Sequence, residues 1–287
     1  MVLVLTLCLN SCANVISYQI TKPIKKAEMH SESVSSMTLF YYTLGDQKNP
    51  PIIFLHGILA FTESYKRFLV SLSENFFIIG IDLPGHGRSS IPFDTYELND
   101  MSTDVIRLTE KLNLNKFYLV GHSMGGLITL SICEKFPEKI IKAVSIASLY
   151  NVDGLDFENN KYDFLTDQGF RKNNKKHQNY FLKIFNHAYD RIDEGEKFMR
   201  TKQILEDYKE DLYPQITSEQ LENIETPILI VVAGKDQLIK PEHTRKMATH
   251  LKNGTLLNFP KANHGSVVSS VINVKKLSSK IHSFFTI

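Results

Sequence analysis

Between Met37 and Phe259 the chain alternates short unbroken apolar runs with longer stretches in which apolar residues recur every three or four positions. Runs of the first kind read as buried strands, and stretches of the second kind as amphipathic helices. The pattern predicts strands at Met37 to Leu44, Pro51 to Leu55, Phe76 to Ile81, Lys116 to Val120, Ile140 to Ala147, Ile228 to Ala233 and Thr255 to Phe259. Helices are expected at Ser64 to Leu72, Asn99 to Leu112, Pro241 to Leu251 and Ser266 to Phe284, and from Leu127 through Cys133. Strands and helices that alternate along most of the chain are the mark of an α/β fold, a mostly parallel sheet covered by helices.

The rhythm breaks once. From about Tyr150 to Thr226 the chain is polar, rich in Asn and Lys and spotted with aromatic residues, and the strand pattern resumes at Pro227. Phe181, Leu182, Phe185, Ala188, Tyr189 and Ile192 fall at helical spacing, as do Ile204, Leu205, Tyr208 and Leu212. Residues 150–225 are therefore expected to be a helical insertion in a core made of residues 30–149 and 226–287.

Composition narrows the function classes. The 287 residues are 43% hydrophobic and carry a formal net charge of +2, enough for one large core and too little charge to argue for a nucleic-acid partner. No zinc-type cysteine spacing, phosphate-binding loop or RNA-binding aromatic motif is present. No internal segment has the ~18–20 continuous apolar residues that span a bilayer. The three cysteines are Cys8, Cys12 and Cys133, too few for a disulfide framework; Cys133 reads as a small buried hydrophobe. Residues 1–29 are set apart as a leader and tether. Met1 to Cys12 is a signal-like apolar run, and Leu9-Asn10-Ser11-Cys12 resembles a bacterial lipobox, in which Cys12 would be lipidated. No Lys or Arg precedes the run and Asn10 is unusual at its position, so a plain N-terminal strand and a cytoplasmic location stay open beside a membrane anchor in a bacterial envelope.

The candidate chemistry centres on Gly121-His122-Ser123-Met124-Gly125, a G-x-S-x-G turn between a strand and a helix. The turn must be tight, so Gly121 and Gly125 are expected where a Cβ would meet neighbouring backbone, with Ser123 at the apex. A serine hydroxyl is a weak nucleophile without a base, and the base needs an orienting carboxylate. Asp236, in Gly234-Lys235-Asp236-Gln237, and His264, in Asn263-His264-Gly265, each follow a predicted strand, in the order Ser, Asp, His. The backbone amides of Ile58 and Met124 are the natural donors to an oxyanion, and His56 is expected to brace the loop that carries Ile58.

His56-Gly57, Asp82-x-x-Gly85-x-Gly87-x-Ser89, Gly121-x-Ser123-x-Gly125, Gly234-x-Asp236 and His264, taken together and in this order, resemble the α/β-hydrolase superfamily from about Met37 onward. The resemblance implies a sheet of about eight strands, a triad of Ser123, Asp236 and His264, a helical cap over the pocket between about Tyr150 and Thr226, and no need of a metal or organic cofactor. Serine at the nucleophile position points away from the haloalkane dehalogenase and epoxide hydrolase branches. Asp153 and Asp156 are alternative acids in some branches. The leading reading is a serine hydrolase of small or medium carboxylic esters. A C–C bond hydrolase with the same triad, or a ligand-binding or signalling relative with little turnover, are the alternatives. The aromatic residues Phe157, Tyr162, Phe164, Phe170, Tyr180, Phe181 and Phe185 would favour an apolar substrate moiety. The basic run Arg171 to Lys176 would suit an anionic group or a lipid surface.

Overall fold

The computed structural model describes residues 13–91, 98–155, 180–193 and 216–287. Eight strands form one sheet: β1 (Glu28–Val34), β2 (Met37–Leu44), β3 (Pro51–Leu55), β4 (Phe77–Ile81), β5 (Phe117–His122), β6 (Ile140–Ile146), β7 (Ile228–Ala233) and β8 (Gly254–Phe259). Their spatial order is β1-β2-β4-β3-β5-β6-β7-β8. β2 runs antiparallel to β1 and β4, and every other pairing is parallel.

The central strands are apolar runs because both faces are covered. Ile52 to Leu55 of β3 are completely buried, and all six residues of β7 lie inside. Helices flank the sheet. Lys66–Leu72 packs against the closing helix Val271–Thr286, and Leu98–Lys111 against Met124–Lys135. After β3 the chain crosses to β4 on one side, and it later returns to lay β5 on the other. A crevice opens at such a switch, outside the carboxyl ends of the two strands. His56 follows β3, and Ser123 follows β5, at that crevice.

Several boundaries differ from expectation for identifiable reasons. Strand β1 is absent from the apolar pattern because Glu28–Val34 is a mostly exposed edge strand, with no buried face to impress on its sequence. Ser35 at φ 54° turns it into β2. The helix expected from Ser64 is a 3₁₀ turn, Thr62–Tyr65, followed by the α-helix Lys66–Leu72. The closing helix is interrupted at Ser270, whose extended backbone (ψ 135°) ends Ser266–Ser269 and caps Val271–Thr286. Residues 13–21, which the sequence reading leaves in a tether, are helical, with Ala13 and Ser17 buried. Lys66 Nζ donates to the carbonyls of Gln19 and, at 2.8 Å, Lys22 at the end of this segment.

Of the insertion, the helix Tyr180–Asp193 is described, and Phe185, Ala188 and Tyr189 on it are buried, at the spacing the sequence predicts. Cys8, Cys12, Asp156, Phe157, Tyr162, Phe164, Phe170, the basic run 171–176 and the second apolar series of the insertion lie outside the described residues. Cys133 packs as a hydrophobe, and burial pushes its thiol pKa up to about 12. Among the described residues no helix is long and apolar enough to cross a membrane.

Candidate active site

Ser123 sits between β5 and the helix Met124–Lys135 with φ 55° and ψ −121°, in the left-handed region that residues other than glycine rarely occupy. Its backbone is held on both sides. The amide donates to the Ile146 carbonyl (2.9 Å), while the carbonyl accepts from the amides of Gly126 (2.8 Å) and Leu127 (3.2 Å) and the Ser148 hydroxyl (2.7 Å). A Cβ on Gly121 would stand 2.0 Å from the Gly125 carbonyl oxygen, and one on Gly125 2.2 Å from that of Leu55. Both contacts are with backbone. They explain why the turn carries glycine on each side of the serine.

Asp236 and His264 meet although 28 residues separate them. His264 Nδ1 lies 2.8 Å from Asp236 Oδ2. A carboxylate can only accept, so Nδ1 carries the proton and Nε2 of the neutral ring is left as the basic nitrogen. Asp236 Oδ1 accepts from the amides of Leu238 (2.9 Å) and Ile239 (3.1 Å). Burial alone would raise the Asp236 pKa, but the facing His264 and these hydrogen bonds outweigh it and hold the carboxyl below its ordinary value. The loops carrying the two residues are laced together, with the Gly234 amide donating to Phe259 O (2.9 Å) and that of Lys235 to Ala262 O (2.8 Å).

The pair reaches the serine through its neighbour. His122 Nε2 lies 3.0 Å from the backbone oxygen of His264, and the two imidazole rings are 4.8 Å apart. On the other side, a Cβ on Gly57 would be 3.2 Å from Ser123 Cβ, which puts the loop after β3 against the nucleophile turn. Among the described residues neither the Ile58 nor the Met124 amide donates a hydrogen bond, and Ser123 Oγ has no bond to His264. Contacts of the latter kind are commonly long until substrate is bound.

His56 is buried and fully engaged. Its Nε2 accepts from the Leu83 amide (2.9 Å), so Nδ1 donates to the Gly57 carbonyl (2.8 Å) and braces the loop ahead of Ile58, as expected. Burial lowers its pKa to about 4, which keeps it neutral. Asp153 is exposed, and the carboxylate on His264 Nδ1 is that of Asp236. The Asp82 segment supports the same loop from below: Asp82 accepts from the amides of Thr62 (2.8 Å) and Arg88 (3.1 Å), and Arg88 pairs with the buried Glu63 at 2.8 Å. Among the described residues no cluster of three or more His, Cys, Asp or Glu is placed to hold a metal.

Three buried side chains around the site escaped the sequence reading. Tyr65 and His122 lie behind Ser123, and Tyr189 reaches in from the inserted helix to accept from the Gly87 amide at 2.9 Å. Only His122 had a signal available, its place inside the G-x-S-x-G turn. The other two come from unrelated elements.

A family model described as the alpha/beta hydrolase fold matches residues 50–270. The chain is 27% identical to the bifunctional esterase/perhydrolase DCH of Acinetobacter calcoaceticus, over 83% of this chain and 93% of that protein. Other curated relatives are matched over 32–63% of their own length. Among solved structures, carboxylesterase CesB of Bacillus subtilis superposes with a TM-score of 0.73 at 17% identity, covering 96% of both chains. A meta-cleavage product hydrolase from Pseudomonas fluorescens gives 0.69 at 16% identity, over 90% of this chain and 97% of that one.

Proposed function

Because the chain belongs to the alpha/beta hydrolase family and is a hydrolase, we propose that it cleaves carboxylic esters through an acyl-enzyme on Ser123. The observation that carries this reading is the Asp236–His264 pair at 2.8 Å, which leaves His264 Nε2 basic and is joined through His122 to a serine held at φ 55°. In the proposed reaction Nε2 takes the Ser123 proton as Oγ attacks the ester carbonyl. The developing oxyanion accepts from the amides of Ile58 and Met124, backbone donors next to the loop after β3 and the serine turn. Collapse of the tetrahedral intermediate breaks the C–O bond, and the imidazolium returns its proton to the leaving alkoxide. Water activated by the same nitrogen then hydrolyses the acyl-enzyme, with Asp236 stabilising the imidazolium in both halves. The reading needs a small-molecule ester and no metal or organic cofactor.

Residues 150–225 are proposed as the cap that shapes the pocket. In support, Phe185 and Tyr189 of the inserted helix stack edge-on against Phe61, just past the Ile58 loop, with ring centroids 6.0 and 5.7 Å away. A C–C bond hydrolase needs cationic groups gripping its substrate's carboxylate, and the geometry gives that rival less support, since Arg88 is tied to Glu63 and to the Tyr42 hydroxyl (2.6 Å). Lipidation at Cys12 remains part of the proposal. The modified residue would directly precede the helical segment 13–21, and a mass measurement on membrane-associated protein tests it.

The deciding experiment is fluorophosphonate labelling of the native protein and of Ser123→Ala, followed by turnover of nitrophenyl esters of increasing chain length. Labelling that requires Ser123, with ester turnover, is expected. A folded native protein that neither labels nor turns over would replace the enzyme with a binding protein.

A further inference from the structure

Behind Ser123 three hydrogen bonds form a chain whose directions are fixed by donor chemistry. The Gly57 amide can only donate, and it lies 3.0 Å from the Tyr65 hydroxyl oxygen. The single Tyr65 proton is thereby left for His122 Nδ1, 2.8 Å away. A ring that accepts at Nδ1 and is neutral carries its proton on Nε2, which faces the His264 carbonyl, an acceptor, at 3.0 Å. Burial lowers the His122 pKa to about 3 and raises that of Tyr65, so neither group ionises near neutral pH. The packing has no slack: a Cβ on Gly57 would stand 3.2 Å from the Tyr65 hydroxyl and 3.4 Å from His122 Nδ1.

The chain joins the three loops that supply the reacting groups. Gly57 precedes the Ile58 oxyanion amide, His122 precedes Ser123, and the third carbonyl belongs to His264. Sheet order makes the last link matter most. β8 lies three places from β5, about 14 Å at ordinary strand spacing, so the loop bearing His264 must cross that distance to reach the serine. Pairing in the sheet sets where β8 ends, and it leaves the far end of the loop unplaced.

We propose that Tyr65 and His122 are positioning residues that hold the oxyanion loop and the His264 loop in register with Ser123 through this chain. The inference rests on the ester-hydrolase reading above. Tyr65→Phe removes the hydroxyl and keeps the ring against Phe54. His122→Gln keeps an amide donor toward the His264 carbonyl and loses the Nδ1 acceptor. Both changes break the same link.

The test measures kcat and KM for a nitrophenyl ester on native protein, each single variant and the double variant, with thermal denaturation showing each folded at assay temperature. Tyr65→Phe is expected to lower kcat about tenfold with KM within about twofold, since a slight misplacement of reacting groups acts on the chemical step. The double variant is expected to fall no lower than the weaker single one, because only one link is lost. Losses that multiply, or an unchanged kcat with a lowered melting temperature, would overturn the proposal and leave the pair as ordinary core. If Tyr65→Phe does not fold, His122→Gln carries the same comparison. Nitrogen-15 spectra of native protein add a readout without turnover: His122 is expected as the neutral Nε2–H tautomer, and the Nδ1–H tautomer would refute the chain. Native protein that does not label at Ser123 would remove the ester-hydrolase reading, and this role with it. Native turnover matched by Tyr65→Phe would remove this role alone.

Discussion

At the scale of single residues the site depends on atoms that have only one compatible partner. Asp236 accepts three hydrogen bonds, one of them from His264. Asp236→Asn is expected to lower kcat by about 10⁴ with KM changed only a few-fold, because an amide that donates to Nδ1 forces the proton onto Nε2. Steady-state kinetics on a short nitrophenyl ester would show this, and near-native turnover would move the acid role to another carboxylate. Gly121→Ala tests the elbow itself. Its Cβ would press on the Gly125 carbonyl at 2.0 Å, and denaturant unfolding is expected to show a loss of about 3 kcal/mol. These residues were legible in the sequence because tight backbone and triad chemistry restrict residue type. Tyr65 was not, since a tyrosine in an amphipathic stretch looks like any core aromatic.

At the scale of elements the candidate site is assembled from loop ends, and the inserted helix binds two of the neighbouring loops. The Tyr189 hydroxyl accepts from Gly87 N–H (2.9 Å) and lies 3.3 Å from the Ala60 carbonyl, so helix Tyr180–Asp193 ties together the loops after β4 and β3. Tyr189→Phe leaves the ring on Phe61 and strips a buried amide of this partner. A stability loss of about 2 kcal/mol is expected, read as a lower denaturant midpoint at unchanged slope. No change would mean that the Gly87 amide is satisfied without the hydroxyl. The helical spacing of Phe185, Ala188 and Tyr189 was visible in sequence, whereas their target was not, because periodicity reports which face is buried and never against what. The edge strand β1 shows the converse, a real element with no apolar period to betray it.

At the scale of the whole molecule, burial of neutral histidines couples stability to pH. His56, His86 and His122 are fully enclosed, and desolvation lowers their pKa values to about 4, 3 and 3. The unfolded chain binds these protons below about 6.5 while the folded one does not. Each histidine therefore contributes stability that is present above that value and lost as pH falls toward its folded pKa, at no more than about 1.4 kcal/mol per pH unit. The buried carboxyls Asp82 and Glu63, raised mainly by burial, work in the opposite direction, so a difference measurement is the clean one. His86 holds the Pro84 carbonyl with Nδ1 at 3.0 Å and, among the described residues, has no partner at Nε2. His86→Asn can keep the first contact and removes the titration. Its unfolding free energy is expected to fall less steeply than that of native protein between about pH 4 and 6, by about 1.4 kcal/mol per unit. Parallel curves would mean that His86 is charged in the folded state.

Sequence by itself determined the α/β class, seven of the eight strands, the family and the identities of Ser123, Asp236 and His264 as candidates. Each of these is set by a local rule, such as an apolar period, a turn that admits only glycine, or a residue type demanded by the chemistry. Only the tertiary structure decided that Asp236 rather than the exposed Asp153 faces His264, that Tyr65 and His122 join the loop after β3 to the serine turn, and that Tyr189 binds the loops after β3 and β4. Those outcomes depend on which strands are neighbours and how far a loop must cross the sheet. Such distances are properties of the packed chain, and no stretch of residues carries them alone.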